Sequence, residues 1–88
     1  MMRVTVRFFA TLKDRAGLSE VEMEVAEETL IETLEAQIGQ RFPALAPLLP
    51  TSLIAINEEF AFPGEVLHDG DVVAFFPPVS GEIGRAHV

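Results

Sequence analysis

Apolar and polar residues alternate one by one from Arg3 to Phe9, with Val4, Val6 and Phe8 on one side and Arg3, Thr5, Arg7 and Phe9 on the other. A period of two is the spacing of a strand that buries one face. Phe9 is the oddity, because it falls on the polar side. The alternation returns in "SEVEMEVA", where Val21, Met23 and Val25 oppose Glu20, Glu22 and Glu24. A second strand with an acidic outer face is expected there. Between the two, "ATLKDRAG" suits a short helical turn that Gly17 ends in a left-handed conformation. The period then lengthens. Leu30, Ile31, Leu34 and Ile38 recur at helical spacing, and Phe42 extends the stripe. Thr29 and Glu32 have the spacing of a capping box, in which each side chain satisfies an amide at the helix start. Pro43 ends this helix.

The second half reads as "PALAPLLP", a proline-punctuated connection, then "SLIAINEEF", a third strand turning near Asn57–Glu59. "FAFPGEVLHDGD" holds a short strand or turn, with Gly70 at positive φ. "DVVAFF" is the last strand, nearly all apolar as a central strand should be. Strand, strand, helix, strand, strand predicts a two-layer α+β domain, a small mixed sheet with one main helix on one face. The β-grasp, or ubiquitin-like, fold has this order.

Composition narrows the chemistry. With 88 residues and 49% hydrophobic content, the chain is expected to form one domain with its own core. It has no cysteine, which excludes disulfides, thiolate metal sites and a cysteine nucleophile. A net charge of −8 repels phosphate backbones, so no nucleic-acid partner is expected and a basic protein surface is the better match. No apolar run approaches the ~20 residues of a membrane span, and the start lacks a signal-peptide pattern. The expected setting is the cytoplasm, with no membrane partner.

Candidate chemistry is sparse. His68 and His87 lack metal-ligand spacing and are expected to be solvated. The Asp69-Gly70-Asp71 triplet lacks the rest of a calcium loop and is better read as a tight turn. Adjacent carboxylates such as Glu27-Glu28 and Glu58-Glu59 suit solvated turns, and no metal site or acid–base dyad emerges. The remaining signal is aromatic. All seven aromatic residues are Phe, and Phe75 and Phe76 are consecutive, so a strand points them to opposite faces. One joins the core. The other lies on the uncovered face, beside Phe9 if the first and last strands are neighbours, with Phe60 at the rim. Such an exposed cluster marks a protein interface unless a loop or the tail covers it.

The stretches "VRFFATLKDRAG" and "LIAINEEF…LHDGDVVAFFPPVSG" resemble the MoaD/ThiS family of ubiquitin-like sulfur carriers, and most closely its MoaD branch, the small subunits of molybdopterin synthase. The resemblance covers residues 2–81 and implies a MoaD-like β-grasp domain over residues 1–81. It implies a carrier that works through its chain terminus. An E1-like adenylating enzyme (MoeB-like) uses ATP to activate a terminal glycine carboxylate, which becomes a thiocarboxylate, and no cofactor is bound permanently. A MoaE-like large subunit then takes the sulfur to make molybdopterin. By this resemblance Phe9, Phe60 and Phe76 face the partners, with Phe75 inward. Pro77 and Pro78 stiffen the root of the tail, Val79 and Ser80 continue it, and Gly81 carries the sulfur or threads the partner's channel. The sequence departs from the family after Gly81. Glu82 stands where the family has its last glycine, and residues 82–88 form an atypical extension. A precursor trimmed after Gly81 or Gly84, a binding module without carrier chemistry, and the carrier part of a longer gene all remain open. So do the thiamine and tRNA-thiolation pathways.

Overall fold

The computed structural model describes residues 1–78. The sequence expectations for Val79, Ser80, Gly81, His87 and residues 82–88 lie outside them. In chain order the elements are β1 (Met2–Phe8), α1 (Ala10–Ala16), β2 (Glu20–Val25), α2 (Ile31–Arg41), two 3₁₀ turns (Pro43–Leu45 and Leu49–Thr51), β3 (Leu53–Ile56), β4 (Glu59–Phe60) and β5 (Val72–Phe76). The five strands form one mixed sheet in the order β2-β1-β5-β3-β4. β5 lies in the centre, parallel to β1 and antiparallel to β3. This is the β-grasp arrangement, and it makes the first and last strands neighbours.

The core follows the two periods of the sequence. Val4, Val6 and Phe8 of β1, Val73 and Phe75 of β5, and Ile31, Leu34 and Ile38 of α2 are all buried in one cluster. α2 is the main helix over this face, and smaller pieces complete the layer. α1 contributes Leu12, and the two 3₁₀ turns contribute Leu45 and Leu49. The proline-punctuated connection is thus part of the core layer, which its composition did not reveal. Phe8 meets Phe42 edge-to-face at 5.7 Å between ring centres, so Phe42 does extend the helical stripe. Gly17 ends α1 at φ 81°, as its position predicted. No helix among the described residues is long and apolar enough to cross a membrane.

The start of α2 corrects one expectation. Thr29 and Glu32 do not form a capping box: Leu30 is the N-cap residue and has no side-chain capping bond. The Thr29 hydroxyl instead donates to the Ala26 carbonyl at 2.6 Å. The helix's first amides are satisfied from elsewhere in the chain. Ile31 N donates to the Glu65 carbonyl at 3.0 Å and Glu32 N to the Pro63 carbonyl at 2.9 Å. Tertiary backbone partners have replaced the local cap, and they tie the loop after β4 to the helix.

Asn57 and Glu58 join β3 to β4 with φ values of 50° and 72°, a two-residue hairpin turn with both positions left-handed. Asparagine tolerates that backbone, and here its side chain also clasps the start of β5. Asn57 Nδ2 donates to Asp71 Oδ1 at 3.0 Å, and Val72 N donates to Asn57 Oδ1 at 3.0 Å. The buried Asp71 carboxylate also accepts from His68 N at 2.8 Å. Replacing Asn57 by alanine removes both side-chain bonds and leaves Asp71 short of a donor. The expected loss is about 1–3 kcal/mol in urea denaturation. A loss below about 0.5 kcal/mol would be that of an ordinary surface change and would show the clasp to be idle.

Candidate functional site

The face of the sheet opposite the helices is built by strand parity and register. Side chains that face one another across strands share a face, so Arg7, Ala74, Ala55 and Phe60 line up across β1, β5, β3 and β4. Phe76 stands opposite Leu53 on the same face. At the end of β1, Ala10 takes a left-handed φ of 52°, and the chain turns sharply into α1. Phe9, still extended at φ −123°, keeps its ring on the open face. Phe9 and Phe76 stack there with ring centres 4.6 Å apart and planes 20° apart. The Arg7 guanidinium lies 5.1 Å from the centre of the Phe9 ring, a cation–π contact on the same shelf.

Between these rings and β3 the residues are small. Ala55 and Ala74 floor a shallow groove whose walls include Phe9, Phe76 and Val72. An aromatic wall beside a small-residue floor suits an apolar side chain from another protein. The adjacent phenylalanines divide as the alternation required. Phe75 is fully buried, and Phe76 is half-buried on the open side. Phe60 is 77% exposed at the sheet edge. Pro77, half-buried, and Pro78, exposed, follow β5 directly. The structure therefore brings Phe9 and Phe76 together, sets Phe60 at the rim of the same face, and starts the tail beside them.

Charge frames the face on its β2 side. Glu24 and Glu22 lie 3.3 and 4.0 Å from Arg3, and Glu20 lies 3.7 Å from Arg7. All of these side chains are about half exposed or more, so the pairs add little stability and serve to keep the margin polar. Asp69 Oδ1 accepts from Arg3 N at 2.8 Å and Asp71 holds the hairpin, so the Asp69-Gly70-Asp71 triplet is committed to a turn in which Gly70 has φ 87°. His68 is exposed, 3.9 Å from Asp71. Among the described residues no group of three histidines and carboxylates could hold a metal ion.

The sequence reading missed Leu53 on this face and left unassigned Phe62, which lines a groove at its edge with Leu53 and Phe60. Leu53 joins it only through the register with Phe76, which a single sequence does not give. Phe62 is 74% exposed, and its signal was available, since it is a second aromatic residue two positions after Phe60.

Comparison with known proteins agrees with this architecture. The ThiS family matches residues 6–81. A molybdopterin synthase sulfur carrier subunit from Chlamydomonas reinhardtii is 39% identical over 82 residues, covering 91% of this chain and 99% of the relative. The crystal structure of SAMP1 from Haloferax volcanii superposes with a TM-score of 0.80 at 28% identity, covering 90% of this chain and 98% of that one. A protein–protein complex of subunits 1 and 2 of molybdopterin-converting factor from Helicobacter pylori 26695 contains a chain that matches with a TM-score of 0.66 at 31% identity. The match covers 91% of this chain and 99% of that one.

Proposed function

This chain belongs to the ThiS family, and on that basis we propose that it is a sulfur carrier, the small subunit of a molybdopterin synthase. The observation that carries the reading is the position of the stacked Phe9–Phe76 pair at the root of the segment that continues as Pro77-Pro78 towards Gly81. A partner that grips this face receives the chain beyond Pro78 at a fixed point. Two consecutive prolines favour an extended exit and reduce the ordering entropy that docking costs.

The partners in this reading are a MoaE-like large subunit and an E1-like adenylating enzyme, and the work is cytoplasmic. In this reading the domain is acted on by the catalytic groups of its partners. Its reactive group is a glycine carboxylate. A carboxylate is a poor electrophile, and adenylation by ATP gives it a good leaving group. Attack of a sulfide-level sulfur from a donor on the acyl carbon breaks the bond to AMP, which leaves, and produces the thiocarboxylate that the large subunit consumes. Val79, Ser80 and Gly81 would thread the partner's channel, where the missing side chain of glycine allows close approach.

In the sequence, the Gly81 carbonyl is in a peptide bond to Glu82. Carrier chemistry at Gly81 therefore requires hydrolysis of that bond, and the same holds for Gly84 and Arg85. Intact-mass spectrometry of the protein isolated from its native cells tests this directly. The expected result is a chain ending at a glycine, a fraction of it with one oxygen replaced by sulfur. If every molecule instead retains Glu82 and the residues after it, the carrier mechanism falls and a binding module with the same docking face is left.

A further inference from the structure

The apolar surface does not stop at the last strand. Five large hydrophobic side chains are exposed among the described residues, and three of them, Leu53, Phe60 and Phe62, line one groove at the β4 edge. Leu53 and Phe60 also belong to the open face, through their pairing with Phe76 and Ala55. The groove is thus continuous with the docking face and turns around the sheet edge towards α2, where it meets Glu35.

Two further features limit what can fill it. The first concerns the backbone. Phe62 N donates to Glu65 Oε2 at 2.9 Å, and Glu65 N donates to the Phe62 carbonyl at 3.0 Å. The carbonyls of Pro63 and Glu65 are taken by the first amides of α2. With these main-chain groups occupied, the loop is a poor template for an added strand, and recognition falls to side chains. The second concerns charge. The Glu35 carboxyl is raised from its ordinary value by burial and then by the neighbouring charge of Glu32. It takes part in none of the ion pairs among the described residues. A partly desolvated carboxylate without a cation among the described residues, at the end of an apolar groove, is complementary to a lysine or arginine whose aliphatic stem lies along the groove.

We propose that the groove between β4 and α2 is a second docking cleft for the large-subunit partner, receiving a segment that places an apolar side chain between Phe60 and Phe62 and a lysine or arginine against Glu35. The identity of the partner rests on the function proposed above. A second copy of this chain fits poorly, because its net charge of −8 sets two acidic surfaces against each other.

The test is calorimetric titration of the purified large subunit with the wild-type chain and with Phe62→Ala, Glu35→Gln, Glu35→Lys and Phe76→Ala, each first shown to melt as the wild type does. Phe62→Ala and Glu35→Lys are expected to weaken binding about tenfold or more, the scale of a contributing interface residue. Glu35→Gln should weaken it less and flatten its dependence on salt. If Phe62→Ala and Glu35→Lys bind as the wild type while Phe76→Ala loses affinity, the cleft is overturned and the docking face stands. If Phe76→Ala alone is silent, the cleft stands and the open face falls. Wild-type affinity in every variant, or no binding by the wild type, removes both. A dimer seen by sedimentation and dissolved by Phe62→Ala would give the cleft to a second copy and overturn the proposed occupant.

Discussion

Phe75→Ala is expected to cost roughly 3–5 kcal/mol of folding free energy, the range for deleting a fully buried phenylalanine. Phe75 sits on the central strand with no exposed surface. Its ring lies 6.3 Å from that of Phe8, which in turn packs edge-to-face on Phe42. Truncation opens a cavity beneath the helical layer, at the point where both halves of the sheet meet. The surrounding rings are held by β1 and by the end of α2, so the gap cannot close by moving one loop. A domain this small stands near the lower end of the usual range of roughly 5–15 kcal/mol, and the variant should be largely unfolded on modest warming. Urea denaturation followed by circular dichroism reads the loss. Phe75→Leu, which returns much of the volume, should recover a good part of it. A Phe75→Ala midpoint close to the wild type would mean that the core is not organised around β5.

What makes this prediction sharp was readable in the sequence. Strict alternation in β1 and β2 fixed which side chains face the helices, and the consecutive pair Phe75-Phe76 could only divide between the faces. The place of Phe9 on the open side followed from the same parity. What could not be read depends on partners distant in sequence. The Thr29–Glu32 spacing suggested a local cap, yet the amides of Ile31 and Glu32 bond to carbonyls more than thirty residues away. A capping-box pattern reports what the helix end needs, and tertiary structure decides which group supplies it. Register is hidden for the same reason. Leu53 becomes part of the face only because it stands opposite Phe76, and no periodicity in "SLIAINEEF" contains that information. Leu45 and Leu49 are buried at 0% and 2% exposure within a stretch whose prolines suggest only a connection, because 3₁₀ turns are too short to show a period.

Phe76→Ala should behave in the opposite way to its neighbour. The side chain is half-buried on the open face, where it stacks on Phe9, so its removal leaves no internal cavity. The expected change in folding stability is below about 1 kcal/mol. Affinity for the large subunit should instead fall by about 2–4 kcal/mol, roughly 30- to 1,000-fold, the scale of an aromatic anchor near the centre of an interface. Phe9→Ala should produce a similar loss. Because the two rings touch, the double variant should lose less than the sum of the single losses, with a coupling of about 0.5–1.5 kcal/mol. Titration calorimetry of the four proteins against the large subunit gives this cycle, and thermal melts of the same samples separate docking from folding. Wild-type affinity for both single variants would show that the partner approaches elsewhere. The rings of the open face would then need another occupant, for which the adenylating enzyme of the proposed function is the next to titrate. The contrast between positions 75 and 76 thus tests the physical division that the function requires, one ring to hold the sheet to its helices and the next to present the chain to a partner.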